Sequence, residues 1–148
     1  MSIKKSLREK LNETIKKNVD MKKIIGGFAD VIEVALDKEY NYGMSEENSF
    51  GRIASLLSAS HAYSVMECEG KKGIEEIADA IHNGWSMAVL TYLDQPEEKK
   101  KQRMVLVNTR YLDLSKEEQD KDLVAARAFI SEYAKLEDGT SEFFNIEK

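Results

Sequence analysis

The chain has 148 residues and a formal net charge of −5, and hydrophobic residues make up 42% of it. This length is typical of one domain, and the composition is too apolar for a disordered chain. The lone cysteine, Cys68, excludes an internal disulfide and a cysteine-based zinc site. The acidic balance argues against a surface for extended nucleic acid. No apolar run approaches the roughly 20 residues that span a bilayer. We expect one domain over residues 1–148 and a cytoplasmic protein, in the host cytoplasm if the protein is viral.

The N-terminal forty residues read as two helices. Turn-forming residues are few, since the chain has one proline and eight glycines, and this favours a mainly helical fold. Residues 2–19 are polar with a narrow apolar stripe that recurs every four positions: Ile3, Leu7, Leu11, Ile15 and Val19. Residues 21–38 form the second predicted helix, which Gly26 and Gly27 weaken. A narrow stripe fits a peripheral helix, so residues 1–40 are candidates for contacts between subunits.

Two longer helices follow a break at Asn41–Gly43. Ser45 is a plausible N-cap for a helix over residues 46–67. Residues 74–93 carry the clearest helical periodicity of the chain. Each of these helices has a histidine on its apolar stripe, His61 in the first and His82 in the second.

The last third predicts a loop, an extended piece and a closing helix. Residues 94–103 read as a charged loop around Pro96, and Met104–Val107 reads as extended because it holds two valines. Ser115 opens an S-x-x-E capping box for a helix over 116–137, which Gly139 ends. The expected fold is therefore mainly α, with short extended or β segments.

Two stretches of the C-terminal half resemble the RyR domain, the repeat named for ryanodine receptors. Residues 77–85, with the sequence I-A-D-A-I-H-N-G-W, resemble its first helix. Leu106-Val107 and the run Y-L-D-L-S-K-E-E-Q-D-K-D at 111–122 resemble its second signature. The resemblance covers about residues 74–135 and outlines a RyR-like core at 74–137.

The resemblance implies a small, mainly helical sensor or binding module of the prokaryotic and phage type, without catalytic chemistry. It points to a nucleotide-like ligand, such as a cyclic dinucleotide or an ADP-ribose-like signal. A phage copy of such a module would act as a sponge that sequesters the signal and inhibits host antiviral immune signalling.

The residues themselves suggest where such a ligand would bind. Trp85 follows His82 by three positions, so the two side chains share a helix face. Guanidinium groups bind phosphate bidentately, and aromatic rings stack on bases. The segment 103–111 collects guanidinium, amide, hydroxyl and aromatic groups, although core packing and an ordinary loop are the simpler explanations. The candidate ligand-binding residues are His61, His82, Trp85, Tyr92, Arg103, Asn108, Thr109, Arg110 and Tyr111.

Motifs for catalysis are absent from the sequence. It has no glycine-rich phosphate loop, no closely spaced histidine pair for a metal and no G-x-S-x-G elbow. We expect no enzyme activity, no metal and no cofactor. A nucleotide hydrolase or phosphodiesterase is therefore disfavoured, whereas a protein-interaction or structural module without a small-molecule ligand remains the main alternative. A homo-oligomer is expected, with the N-terminal helix and the Phe143-Phe144 tail as contacts.

Overall fold

The fold is mainly helical, as the sequence predicts. The computed structural model describes residues 6–40, 49–70 and 72–141, including their side chains except those of residues 14–19 and 49. Five α-helices occupy this part of the chain, and it contains no strand. They are α1 (Leu7–Tyr40), α2 (Ser49–Glu69), α3 (Ile74–Thr91), α4 (Glu97–Val107) and α5 (Lys116–Asp138), with a short 3-10 turn at Tyr111–Asp113 before α5.

Helix α1 is one continuous helix of 34 residues where two were expected. Glycine inside a helix costs roughly 1 kcal/mol relative to alanine, so Gly26 and Gly27 alone favour a break. The burial that follows them outweighs this cost, because Phe28 and Ile32 are fully enclosed by the core. The C-terminal half of α1 packs on α2 and α5.

Helices α2 and α3 cross at very short range, and this crossing is the centre of the fold. A Cβ atom on Gly84 would lie only 2.5 Å from the Leu57 carbonyl oxygen, so only glycine fits here. The Ser58 hydroxyl donates a hydrogen bond to the Ile81 carbonyl across the same crossing. The predicted cap at Ser45 and the break at Asn41–Gly43 lie outside the described residues.

Helix α4 corrects two predictions. The charged segment 94–103 is not a loop throughout, because α4 begins at Glu97, directly after Pro96, and the extended segment Met104–Val107 is its last turn. Glutamate, lysine and glutamine favour helices, and acidic residues suit the first turn. The β-branched Val105 and Val107 are too few to outweigh them. The expected short β segment is therefore wrong at this place.

Helix α5 confirms the predicted caps. The Ser115 hydroxyl accepts a hydrogen bond from the Glu118 backbone N–H, and Gly139 ends the helix with φ +73°. Inside, Tyr133 joins a cluster of aromatic rings. Its hydroxyl and that of Tyr63 both donate to the Glu67 carboxylate, at 2.8 and 2.7 Å, which links α5 to α2.

No helix in the described part of the chain is long and apolar enough to cross a membrane. The Phe143-Phe144 tail, proposed above as a subunit contact, lies outside the described residues.

Candidate functional site

A cavity of about 450 Å³ lies between the helices and receives residues from all five of them. This volume is within the range of small-molecule sites. Its apolar wall is formed by Ile32, Leu36, Ala54, Ile81, Leu106 and Leu114. Its polar groups lie mainly in two places, one beside α4 and one beside α5. Together, these two groups of polar side chains define what the cavity can bind.

At the α4 side, Arg103 is held in a fixed position. Its guanidinium carbon lies 3.7 Å from the centre of the Phe50 ring, and its Nη1 donates to the Gln95 side-chain carbonyl at 3.0 Å. Gln95 is anchored in turn, since its amide donates to the carbonyls of Val89 and Tyr92 at the end of α3. Partial burial lowers the pKa of the Arg103 guanidinium from its ordinary value.

Arg103 is a cation without a counter-charge among the described residues. Arg52 has the carboxylates of Asp30 and Glu33 within 4 Å, whereas no described carboxylate pairs with Arg103. Lys99 lies one turn earlier on α4 and also lines the cavity. This side of the cavity is therefore suited to an anion.

At the α5 side, His82 and Asp122 face each other. The imidazole of His82 is buried, and its Nε2 lies 2.8 Å from the Thr109 carbonyl oxygen. A carbonyl can only accept, so Nε2 carries the hydrogen of that bond. The Nδ1 atom lies 3.7 Å from Asp122 Oδ2, which is longer than a hydrogen bond. Nδ1 and the carboxyl group are thus close neighbours without a direct bond.

Asp122 is an unusual carboxyl group. Its side chain is only 16% exposed, and no described residue donates a hydrogen bond to it. Burial raises its pKa to about 8, and the nearby charges of Glu118 and Asp79 add to this effect, while Lys121 opposes it. This raised pKa favours the protonated form of the Asp122 carboxyl at pH 7 over a salt bridge with His82. A buried carboxyl without a donor is a group that a ligand can satisfy.

Trp85 lies one turn beyond His82 on α3 and offers a flat apolar surface to the cavity. Its ring is nearly parallel to the His82 imidazole, with 6.0 Å between the centres. The ring of Phe50 stands at 88° to the indole, with 6.4 Å between the centres. Because Phe50 also contacts Arg103, the indole lies between the two polar places and is available for stacking.

The structure brings together three of the nine predicted site residues and separates the others. His82, Trp85 and Arg103 line the cavity. Tyr92 lies next to it, with its ring 5.9 Å from that of Phe50. Thr109 does not line the cavity, but its backbone carbonyl bonds to His82, while its hydroxyl donates to the Val105 carbonyl in α4.

The remaining four candidates do not line the cavity. Asn108 is exposed at the end of α4, and Arg110 is 80% exposed and pairs with Asp113 at 3.0 Å. Tyr111 is 1% exposed and belongs to the core, where burial raises the pKa of its hydroxyl. The Nδ1 atom of His61 bonds to the Leu57 carbonyl within α2, so the two histidines share no pocket.

Sequence reasoning missed Phe50 and several polar residues of the cavity, although helical spacing offered a signal for some of them. Lys99 and Arg103 are four residues apart, as are Glu118 and Asp122, and such pairs share one helix face. The residues missed are Phe50, Ser55, Ser58, Lys99, Glu118, Lys121 and Asp122. Because residues 94–103 were expected to form a loop, the shared helix face of Lys99 and Arg103 was not recognised.

Comparisons of the chain with protein-family models, curated proteins and solved structures find no match. The resemblance of residues 74–135 to the RyR domain therefore stays a hypothesis. Among the described residues there is also no group of three metal-ligating side chains.

Proposed function

We propose that the protein binds a small phosphorylated nucleotide in this cavity and releases it chemically unchanged. The observation that carries the proposal is Arg103, a positioned and partly buried cation with no carboxylate among its described neighbours. An unpaired charge is costly to bury, and an anionic ligand would remove that cost. A guanidinium binds phosphate oxygens bidentately, and Trp85 beside it provides a surface for a base.

Sequestration is the mode of action that we propose for this binding. The ligand class is a cyclic dinucleotide or an ADP-ribose-like signal, and the biological effect is inhibition of host antiviral immune signalling. Sequestration requires an affinity that competes with the receptor, near nanomolar, which is about −12 kcal/mol. The cavity lies among helices and its lining includes apolar and aromatic side chains, so it could shield much of a small ligand from water.

A thermal-shift screen tests this proposal. The compounds are mononucleotides, cyclic di- and trinucleotides, ADP-ribose, cyclic ADP-ribose isomers and NAD. We expect stabilisation by at least one compound, recovered intact after heat denaturation. Arg103→Gln should weaken binding at least about tenfold without lowering the melting temperature of the free protein. Arg127→Gln, on the exposed side of α5, is the matched control.

Each other outcome has a clear meaning. Recovery of a converted product would indicate an enzyme. If no compound stabilises the protein, the nucleotide proposal fails, and a protein-interaction or structural module becomes the better explanation.

We further propose that two copies of the chain pair through the N-terminal half of α1. All described side chains in residues 6–13 and 20–23 are exposed, with Leu7 at 75% and Leu11 at 54%. A helix segment of this length is marginal in water unless its apolar side is covered. A second copy is the partner that the sequence favours.

Light scattering after gel filtration tests the pairing. We expect twice the 16.8 kDa mass of the chain for the wild type and a single chain mass for Leu11→Lys. Leu93→Lys, which changes a leucine outside α1 that is 89% exposed, should leave the dimer intact. A monomeric wild type at micromolar concentration would overturn this proposal.

A further inference from the structure

The two sides of the cavity differ in chemistry, and this difference orients a ligand. The α4 side holds the cations Arg103 and Lys99, whereas the α5 side holds the carboxyl groups of Asp122 and Glu118 and one cation, Lys121, which is paired with Glu118 at 3.0 Å. A phosphate is repelled by carboxylates and attracted by guanidinium, so it must lie at the α4 side. The other end of the same ligand then reaches the α5 side.

The α5 side is rich in hydrogen-bond acceptors that lack donors. The Asp122 carboxyl accepts no hydrogen bond from the described residues, and at least one of its oxygens remains an acceptor in either protonation state. His82 donates from Nε2 to the Thr109 carbonyl, which leaves Nδ1 as the ring nitrogen that can accept a hydrogen bond.

The distance between these two acceptors indicates which kind of donor group could bind both of them. His82 Nδ1 and Asp122 Oδ2 are 3.7 Å apart, so one nitrogen that carries two hydrogens can reach both. A ring nitrogen or a carbonyl offers no such pair of hydrogens. Trp85, one turn from His82, provides the face on which the ring that carries this nitrogen would stack.

We propose that His82 and Asp122 recognise the exocyclic amino group of a purine nucleotide, whose phosphate binds Arg103. This inference rests on the nucleotide-binding function proposed above and adds the part of the ligand that determines specificity. Adenine and guanine both carry such an amino group, and the experiment separates them.

Calorimetry with two matched pairs of mononucleotides tests the proposal. AMP is compared with purine riboside 5′-monophosphate, and GMP with IMP, because each second member lacks only the amino group. In at least one pair the amino-bearing member should bind at least about tenfold more tightly, since a well-placed pair of hydrogen bonds to a base edge discriminates by that factor or more. The pair that shows the difference identifies the base.

Variants then assign the difference to Asp122. Asp122→Leu should abolish the preference within the pair, so that its two members bind with the same affinity. Asp138→Leu, an exposed aspartate at the end of the same helix, should preserve the preference. Arg103→Gln should weaken both members of the pair equally, because both carry the phosphate. A circular-dichroism melt of each variant shows that it folds.

Three results would overturn the inference, and they point to different errors. If all four nucleotides bind equally, the cavity binds nucleotides but does not read the amino group. If Asp122→Leu weakens all four equally, Asp122 contacts the ribose or holds the cavity together. If none of the four binds, and Arg103→Gln changes no thermal shift in the wider screen, the proposed function fails and this inference fails with it.

Discussion

Helices α3 and α4 are neighbours that both line the cavity, yet they are built in opposite ways. Eight of the 18 residues of α3 are buried, including the Gly84 crossing, whereas no residue of α4 is buried. Among the described elements, helix α4 packs mainly on α3. Helix α3, in contrast, packs on α2, α4 and α5. His82 and Trp85, which we propose to contact the base, thus lie on a rigid support, and Arg103, which we propose to bind the phosphate, lies on a peripheral one. This difference allows one wall to keep its shape while the other adjusts to a ligand.

The largest effect on stability is expected at Gly84, where α3 packs most closely on α2. Gly84→Ala places a methyl group against the α2 backbone and should lower the free energy of unfolding by about 3 kcal/mol. Gly73→Ala, at the start of the same helix with open space around it, should change it by less than about 0.5 kcal/mol. Urea unfolding measures both. Equal stability of the two variants would mean that α2 and α3 are not in close contact.

Hydrogen exchange compares the two walls directly. Amide groups in the middle of α3 should be protected at least about a hundredfold more strongly than those of α4, because opening α4 exposes little apolar surface. Mass spectrometry of peptic fragments gives this ratio for the free protein. Equal protection would show that α4 unfolds only together with the core.

Asp122 makes stability depend on pH. The Asp122 pKa is about 8 in the folded protein, against an ordinary value of 3.8, so between these values the folded state holds a proton that the unfolded state has lost. This stabilisation is complete below the lower value and is lost as the pH rises through the higher one. The stability of Asp122→Asn relative to the wild type should therefore increase by more than about 1 kcal/mol between pH 5 and pH 9.

Thermal melts at both pH values test this, with the exposed Asp138→Asn as the control. The groups that face Asp122 and must be considered are His82 and Asp79 on α3, and Glu118 and Lys121 on α5. A wild type whose melting temperature does not fall between pH 5 and 9 relative to Asp122→Asn would contradict the raised pKa.

The smallest effect on stability is expected at the connection between the two helices. Gln95 joins the end of α3 to Arg103, and Gln95→Ala removes three hydrogen bonds near the surface. We expect a loss of about 1 kcal/mol in the free energy of unfolding, together with weaker anion binding, since Arg103 is no longer held. Gln102→Ala, an exposed glutamine on α4, is the control. Unchanged anion binding would show that Phe50 alone positions the guanidinium.

Local signals in the sequence predicted the fold well where a single chemical feature decides the outcome. The cap at Ser115 and the stop at Gly139 are such features, and both lie where predicted. The continuity of α1 was not predictable in this way, because it depends on how Phe28 packs against distant helices. Helix α4 was missed because two valines were given more weight than a run of good helix formers.

The candidate site was predictable only in part, for a related reason. Residues on a strong helical stripe, such as His82 and Trp85, were found because periodicity shows which way they face. The segment 108–111 was judged by composition alone, and composition does not distinguish an exposed Arg110 from a core Tyr111. Asp122 could not be recognised, because its burial comes from helices that are distant in the chain.

The carboxylate of Glu67, which receives two tyrosine hydroxyls, gives the protein an optical reporter of its own integrity. Burial together with this carboxylate raises the pKa of Tyr63 and of Tyr133 to about 12. In an alkaline titration these two of the six tyrosines, together with the buried Tyr111, should stay un-ionised in the folded chain, and phenolate absorbance from them should appear only as it unfolds. Ultraviolet absorbance near that pH would therefore report the unfolding of the chain, including the junction of α2 and α5.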